Sequence, residues 1–286
     1  MPDHPRVAIV ADSTADLPAD LRARLGIAMV PLNVHIGNDT YRDQVDLTTA
    51  QFMELLRTSP DFPTTSQPSA GLFEQTFREL AETHDEAVCV LISSRLSGTV
   101  QSAQIAAEAV RDVIRVEVVD SMNASLGCGF QVLEAHRLAA EGQRAEQIAS
   151  TLRARVNRYH VIFFVETLDH LRRGGRIGKA ASLVGSMLKL KPLLRIDEGQ
   201  VVPFERTRTR RKATDALVEF AENLPGIERI AVLYNTTPDD ARALYDRVRH
   251  LAARASEVSV TELSPVLGSH VGPDILGLVI EVEASE

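Results

Sequence analysis

The sequence predicts an α/β protein of two domains. The first is an N-terminal α/β/α domain built on a parallel sheet, residues 1–157. The second is a C-terminal α/β domain, residues 158–286. Three observations carry this expectation. Apolar runs without polar alternation, RVAIVA (6–11) and AVCVLI (87–92), have the character of strands buried on both faces. Amphipathic segments alternate with such runs through the first half, as in successive βαβ units. Near Tyr159 the alternation gives way to a Gly- and Arg-rich stretch and a hairpin signal, which puts the boundary near Asn157.

Element by element, strand 6–11 runs into a polar turn, 12–16. Pro18 opens a helix that Gly26 closes. Residues 27–36 read as one strand, and Thr48 or Thr49 caps a helix to about Arg57. A loop rich in Ser, Thr and Pro spans 58–68. Helix 69–84 follows, with Leu72, Phe73, Phe77 and Leu80 on one face. Strand 87–92, helix 98–110, strand 116–119 and helix 124–140 complete the first half. In the second half, 161–165 reads as a strand and 180–188 as an apolar helix. Strands 193–196 and 201–205 flank the turn Asp197-Glu198-Gly199, and two helices and three strands finish the chain.

Composition narrows the function. Of 286 residues, 44% are hydrophobic and 24% charged, enough apolar material for a sizeable core. A net charge of −8 argues against a general nucleic-acid binder. The two cysteines, Cys89 and Cys128, lie in apolar segments outside any CxxC pair and read as buried free thiols. The N-terminal residues hold no long apolar segment, and no run reaches the roughly 18 residues of a membrane span. A soluble, cytoplasmic protein without an integral membrane segment is expected. No metal-ligand pattern and no dinucleotide fingerprint is visible, so neither metal nor cofactor is expected.

Ligands of parallel sheets lie at the carboxyl ends of the strands. Polar turns stand there at Asp12-Ser13-Thr14, at 93–99 and at Asp120-Ser121. Ser97 is a candidate N-cap, and Gly98 lets a ligand approach the backbone. The first N–H groups of the following helix make the turn an anion site. Capping and anion binding are both open to Ser97. Thr64, Thr65 and Ser66 place hydroxyls just before another helix, where they serve a carboxylate or an ordinary Pro-terminated loop. His270, between two glycines in GSHVGP, is a candidate carboxylate donor or base. RRGGRIGK (172–179) lacks phosphate-loop spacing but gathers Arg172, Arg173, Arg176 and Lys179. A second basic cluster runs from Arg206 to Lys212. Ser97, His270 and Asp120 also supply the residue types of a serine hydrolase, although the nucleophile-elbow sequence is missing.

Seven segments together resemble the DegV family of bacterial fatty-acid-binding proteins. They are ADSTADLP (11–18), DQVDLT (43–48), PTTSQPS (63–69), SSRLSGTVQSA (93–103), DSMNASLGCG (120–129), LDHLRRGGRIGKAASLVGSMLKLKPLL (168–194) and SHVGPDILGLV (269–279). They span nearly the whole chain in one order. The resemblance implies two α/β domains with a long-chain fatty acid between them, and no cofactor besides that ligand. It implies a binding subunit rather than an enzyme. A separate kinase subunit would phosphorylate the bound carboxylate with ATP, giving an acyl phosphate for phospholipid synthesis. Thr65 matches the family's TSQP motif, with Ser66 beside it, and Ser97 matches its LSGT motif, with Gly98 next. His270 matches its C-terminal histidine. These five are the expected carboxylate-binding residues. Arg176 and Arg206 match two arginines expected to meet the partner or the phosphate, although the run after Arg206, TRTRRK, is more basic than the pattern. Leu183, Val184, Met187 and Leu188 are candidate tail-lining residues or plain core. A serine-dependent acyl-ester hydrolase and a lipid sensor without a kinase are the alternatives.

Overall fold

A computed structural model describes residues 6–183 and 190–283. Along the chain it forms β1 (Val7–Asp12), α1 (Ala19–Leu25), β2 (Ala28–Val30), β3 (Asn33–Ile36), β4 (Asp39–Arg42), α2 (Thr49–Thr58), β5 (Thr64–Ser66) and α3 (Ala70–Ala81). There follow β6 (Glu86–Leu91), α4 (Thr99–Ala109), β7 (Arg115–Asp120), α5 (Leu126–Ala140) and α6 (Ala145–Ala154). The second half holds β8 (Tyr159–Phe164), α7 (Asp169–Arg173), β9 (Lys191–Asp197), β10 (Gln200–Thr207) and α8 (Arg210–Glu222). It closes with β11 (Ile227–Tyr234), α9 (Pro238–Val248), β12 (Val260–Glu262), α10 (Pro265–Val271) and β13 (Leu276–Val282).

The first sheet, β2-β1-β6-β7, is parallel throughout. Its apolar runs are continuous because both faces are covered. Phe73 and Phe77 of α3 and Ala103 and Ala106 of α4 pack on Ala8, Val10 and Cys89. Phe130 of α5 and Ile148 and Leu152 of α6 join Ile9, Ala11 and Val90 on the other face. Cys89 and Cys128 are buried free thiols, as expected.

The second sheet has the order β10-β9-β8-β13-β11-β12 and is antiparallel except for β11 with β12. Helices α8 and α9 cover its outer face through residues such as Leu217 and Leu244. Helix α5 packs against β1 and β6 of the first sheet and β8 and β13 of the second. Val90, Phe130, Val161, Phe163 and Val279 therefore share one core.

The α/β class with a parallel first sheet is as expected, but several elements differ. The expected strand 27–36 is two strands in different sheets. Pro31 has no N–H to continue a ladder, and the Leu32 N–H donates instead to Ser13 Oγ at 3.1 Å. Strand β3 then pairs with β4 and β5 in a small antiparallel sheet, so the expected loop 58–68 contains a strand. Helix α6 was not expected, and the second half ends with three helices rather than two. The expected helix 180–188 is a 3-10 segment over Gly178–Leu183, and Val184, Met187 and Leu188 lie outside the described residues. The hairpin turn is as expected, with positive φ at Glu198 (47°) and Gly199 (76°). Among the described residues no helix is long and apolar enough to cross a membrane.

Candidate functional site

A cavity of about 220 Å³ is lined from both large sheets and from α10. Ile92 and Leu96 come from the end of β6, and Ala124 and Ser125 from the start of α5. Val161 and Phe163, two apart on β8, point from one face of that strand. Ile196 and Val201 come from the β9–β10 hairpin, and Val266, Leu267 and Val271 from α10. Apart from Ser125, these wall residues are apolar.

Polar side chains share the lining. Thr65 Oγ1 and His270 Nε2 are 2.8 Å apart, although 205 residues separate them in sequence. Arg176, whose charge reaches His270, donates from Nε to the Leu96 carbonyl at 3.0 Å and from Nη1 to the Gly174 carbonyl at 2.7 Å. Ser97 follows Leu96 and also lines the cavity, as does Ser66 beside Thr65. Ser66 Oγ lies 2.9 Å from His35 Nε2. Ser97 Oγ lies 2.8 Å from Thr99 Oγ1. Gly98, not Ser97, is the N-cap residue of α4. A Cβ at Gly98 would collide with the Gln67 amide, so the glycine is what lets Gln67 fold against the turn and line the cavity.

His270 lies in the last turn of α10, not in an extended loop. Ser264 caps that helix and Pro265 is its first residue. Burial lowers the imidazole pKa to about 4, with the charges of Arg176 and His170 pushing the same way. Its Nδ1 makes no hydrogen bond to the described residues. A Cβ at Gly174 would overlap that nitrogen, so the Arg-Gly-Gly turn packs directly on the ring.

Thr65, Ser66, Ser97, Arg176 and His270 thus line one cavity, with Gly98 beside it. Arg206 does not. It is exposed on β10, opposite Pro192. The basic cluster is divided, for Arg210 starts α8 and is held by Asp240, by Thr237 Oγ1 and by the Asp274 carbonyl. The hydrolase residues are not linked to one another. Asp120 accepts from the backbone of Ser94 and Met122, and the partner of His270 is Thr65. Leu183 is buried core and does not line the cavity.

Sequence reasoning did not find Gln67, the β8 pair Val161 and Phe163, or the hairpin pair Ile196 and Val201 as wall residues. The two-residue spacing of the β8 pair was the available signal. Asp12 was placed in a ligand-facing polar turn, whereas Asp16 and Asp43 were given no role; all three are buried. Burial raises the carboxyl pKa of each, that of Asp43 to about 7. For Asp43 the Ser13 hydroxyl and the Val266 N–H oppose the rise.

Fold and cavity together define an α/β protein of two large sheets and one small one, enclosing a mostly apolar cavity with polar and cationic lining residues. The chain belongs to the DegV family: residues 6–283 match the family model described as an uncharacterised protein, DegV family. A DegV domain-containing protein of Halalkalibacterium halodurans is 37% identical over 285 residues, covering 97% of this chain and 99% of that protein. A Thermus thermophilus DegV family protein, whose structure is described as one of fatty acid binding, superposes with a TM-score of 0.89 at 40% identity. The match covers 97% of this chain and 100% of that one. DegV of Bacillus subtilis, described as a fatty acid binding protein, superposes with a TM-score of 0.86 at 32% identity over 98% of this chain and all of that one.

Proposed function

We propose that this protein binds a long-chain fatty acid in the cavity, with its carboxylate among Thr65, Ser97 and His270, and presents it to a separate kinase for acyl-phosphate formation. The observation that carries the reading is an apolar cavity with Thr65, Ser97, Arg176 and His270 gathered on its polar side. Burying about fifteen methylenes is worth on the order of 12 kcal/mol at roughly 0.8 each. The carboxylate drawn in with them loses hydration and needs donors. Two hydroxyls, a neutral imidazole and the first N–H groups of α4 supply them. The fatty acids described for the Thermus thermophilus and Bacillus subtilis relatives support the same ligand class here.

No cofactor enters this scheme, and the chain itself transfers no phosphate. Arg176 belongs to the head end of the cavity. Arg206, exposed outside it, is the candidate partner contact. The test is a pair of assays on each variant: fatty-acid affinity, and acyl-phosphate formation with the kinase. Ser97→Ala and His270→Ala should weaken binding by about 1–3 kcal/mol each, the range for a buried charge left short of a hydrogen bond. Arg206→Ala should leave binding intact and slow the phosphorylation. Unchanged affinity in both cavity variants contradicts the head-group assignment. Unchanged phosphorylation in Arg206→Ala contradicts the partner contact. Binding without any kinase-dependent turnover leaves a lipid sensor.

A further inference from the structure

Helix α10 carries His270, yet residues of the N-terminal half hold it in place. Asp43 Oδ1 accepts the Val266 N–H at 3.2 Å, and Asp16 Oδ1 accepts the Ser264 N–H at 3.0 Å. The other Asp16 oxygen accepts from Ser125 Oγ at 2.6 Å, and its carbonyl accepts from Thr261 Oγ1 at 2.7 Å. Thr49 Oγ1 donates to the Leu263 carbonyl at 2.7 Å. Further along, a Cβ at Gly268 would stand 3.1 Å from Phe52 and 3.0 Å from Met53 of α2, closer than an ordinary contact, so the glycine lets α2 pack tightly on α10.

We infer that Asp43, together with Asp16, is a positioning residue for the carboxylate site, fixing the first turn of α10 so that His270 meets Thr65. The inference rests on the proposed function of the cavity. Val266 and His270 are four residues apart, one helical turn, so displacement at the first is carried to the second by continuous helix. Thr65, the partner of His270, is on β5, and β5 is paired with β3, whose other neighbour β4 ends just before Asp43. Asp43 itself is tied to that sheet, its N–H donating to the Leu32 carbonyl at 2.9 Å. The same small region therefore fixes both ends of the Thr65–His270 contact.

Two buried carboxylates are a costly way to hold a segment. Asp43 is fully buried, and Asp16 is 3% exposed. Each raises its pKa through burial, and the Asp43 charge raises that of Asp16 further. A hydroxyl would accept the same N–H with a smaller desolvation cost. What a carboxylate adds is a stiff, strong acceptor whose removal leaves the buried Val266 N–H unpaired.

The test is a double-mutant cycle between Asp43 and His270, read by fatty-acid affinity, with the His270 ring nitrogens followed by NMR in delipidated protein. Asp43→Leu removes the acceptor while keeping the branched shape, and Asp43→Asn keeps one. Glu86→Leu, which removes a buried carboxylate in the first sheet that accepts from Arg144 and the Ala145 N–H, controls for simple destabilisation. Asp43→Leu should weaken binding at least tenfold in the native background and less than twofold in His270→Ala. Asp43→Asn should stay within threefold of the native protein. The His270 ring signals should move in Asp43→Leu and stay in place in Glu86→Leu. An equal penalty in both backgrounds, or unmoved ring signals, overturns the assignment. Should Asp43→Leu fail to fold, Asp43→Ala, which also removes the acceptor, is read by the same criteria. A native protein that binds no fatty acid refutes the proposed function instead, while the ring signals of the ligand-free protein still decide the positioning role.

Discussion

At His270 burial dominates the chemistry. Its imidazole pKa is lowered to about 4, first by burial and then by the Arg176 and His170 charges. The ring is therefore neutral at physiological pH, with one N–H to give and one nitrogen to accept. An unfolded histidine titrates near 6.5. Below that value the unfolded chain takes up a proton that the folded chain refuses. The depressed pKa thus gives stability that is fully present above about pH 6.5 and lost as pH falls toward 4. Comparing the native protein with His270→Gln by thermal unfolding isolates this contribution. The native protein should lose stability relative to the variant across that window, by up to about 1.4 kcal/mol per pH unit. A constant difference from pH 7 to pH 4 would mean that burial does not hold the ring neutral. A carboxylate bound beside His270 would raise its pKa again and shrink the effect.

Among the elements, the 3-10 segment Gly178–Leu183 packs closely on the backbone of β10, whose Val201 lines the cavity. Gly178 has φ 53°, and a Cβ there would overlap the Val201 carbonyl. Gly175 also has positive φ, 72°, but nothing lies within 4 Å of its Cβ position. Gly178→Ala should cost about 1–3 kcal/mol and Gly175→Ala about 1 kcal/mol, the latter from backbone strain alone. Because Val201 lines the cavity, only Gly178→Ala should also speed fatty-acid release. Thermal unfolding and ligand-exchange rates check both halves, and equal behaviour of the two variants would contradict the contact. Legibility in the sequence also varied by element. RVAIVA and AVCVLI were readable because burial on both faces leaves no polar residue in the run. Strands β4 and β5 were not, being three or four residues long and mostly polar, with partners fixed by tertiary pairing. Helix α10, seven residues and almost wholly buried, shows no amphipathic period, so His270 read as a loop residue. Asp16 and Asp43 stood in recognisable motifs, but nothing local marks an aspartate as buried.

Over the whole molecule, α5 joins the two sheets into one core, and the cavity lies where the ends of β6, β8 and the β9–β10 hairpin face α10. No periodicity in the sequence brings Thr65, Ser97 and His270 together. The resemblance to a family supplied that grouping, and the fold supplies its physical cause: β5 and the turn after β6 come from the first half, α10 from the second. The central claim is that this shared cavity holds a fatty acid. Its most direct test is denaturing extraction of protein purified from a bacterial host, with quantitative mass spectrometry of the extract, followed by titration of delipidated protein. The account predicts close to one long-chain fatty acid per chain, and a melting temperature that rises as fatty acid is added back. No extracted fatty acid, together with a melting temperature unmoved by added acid, would contradict it.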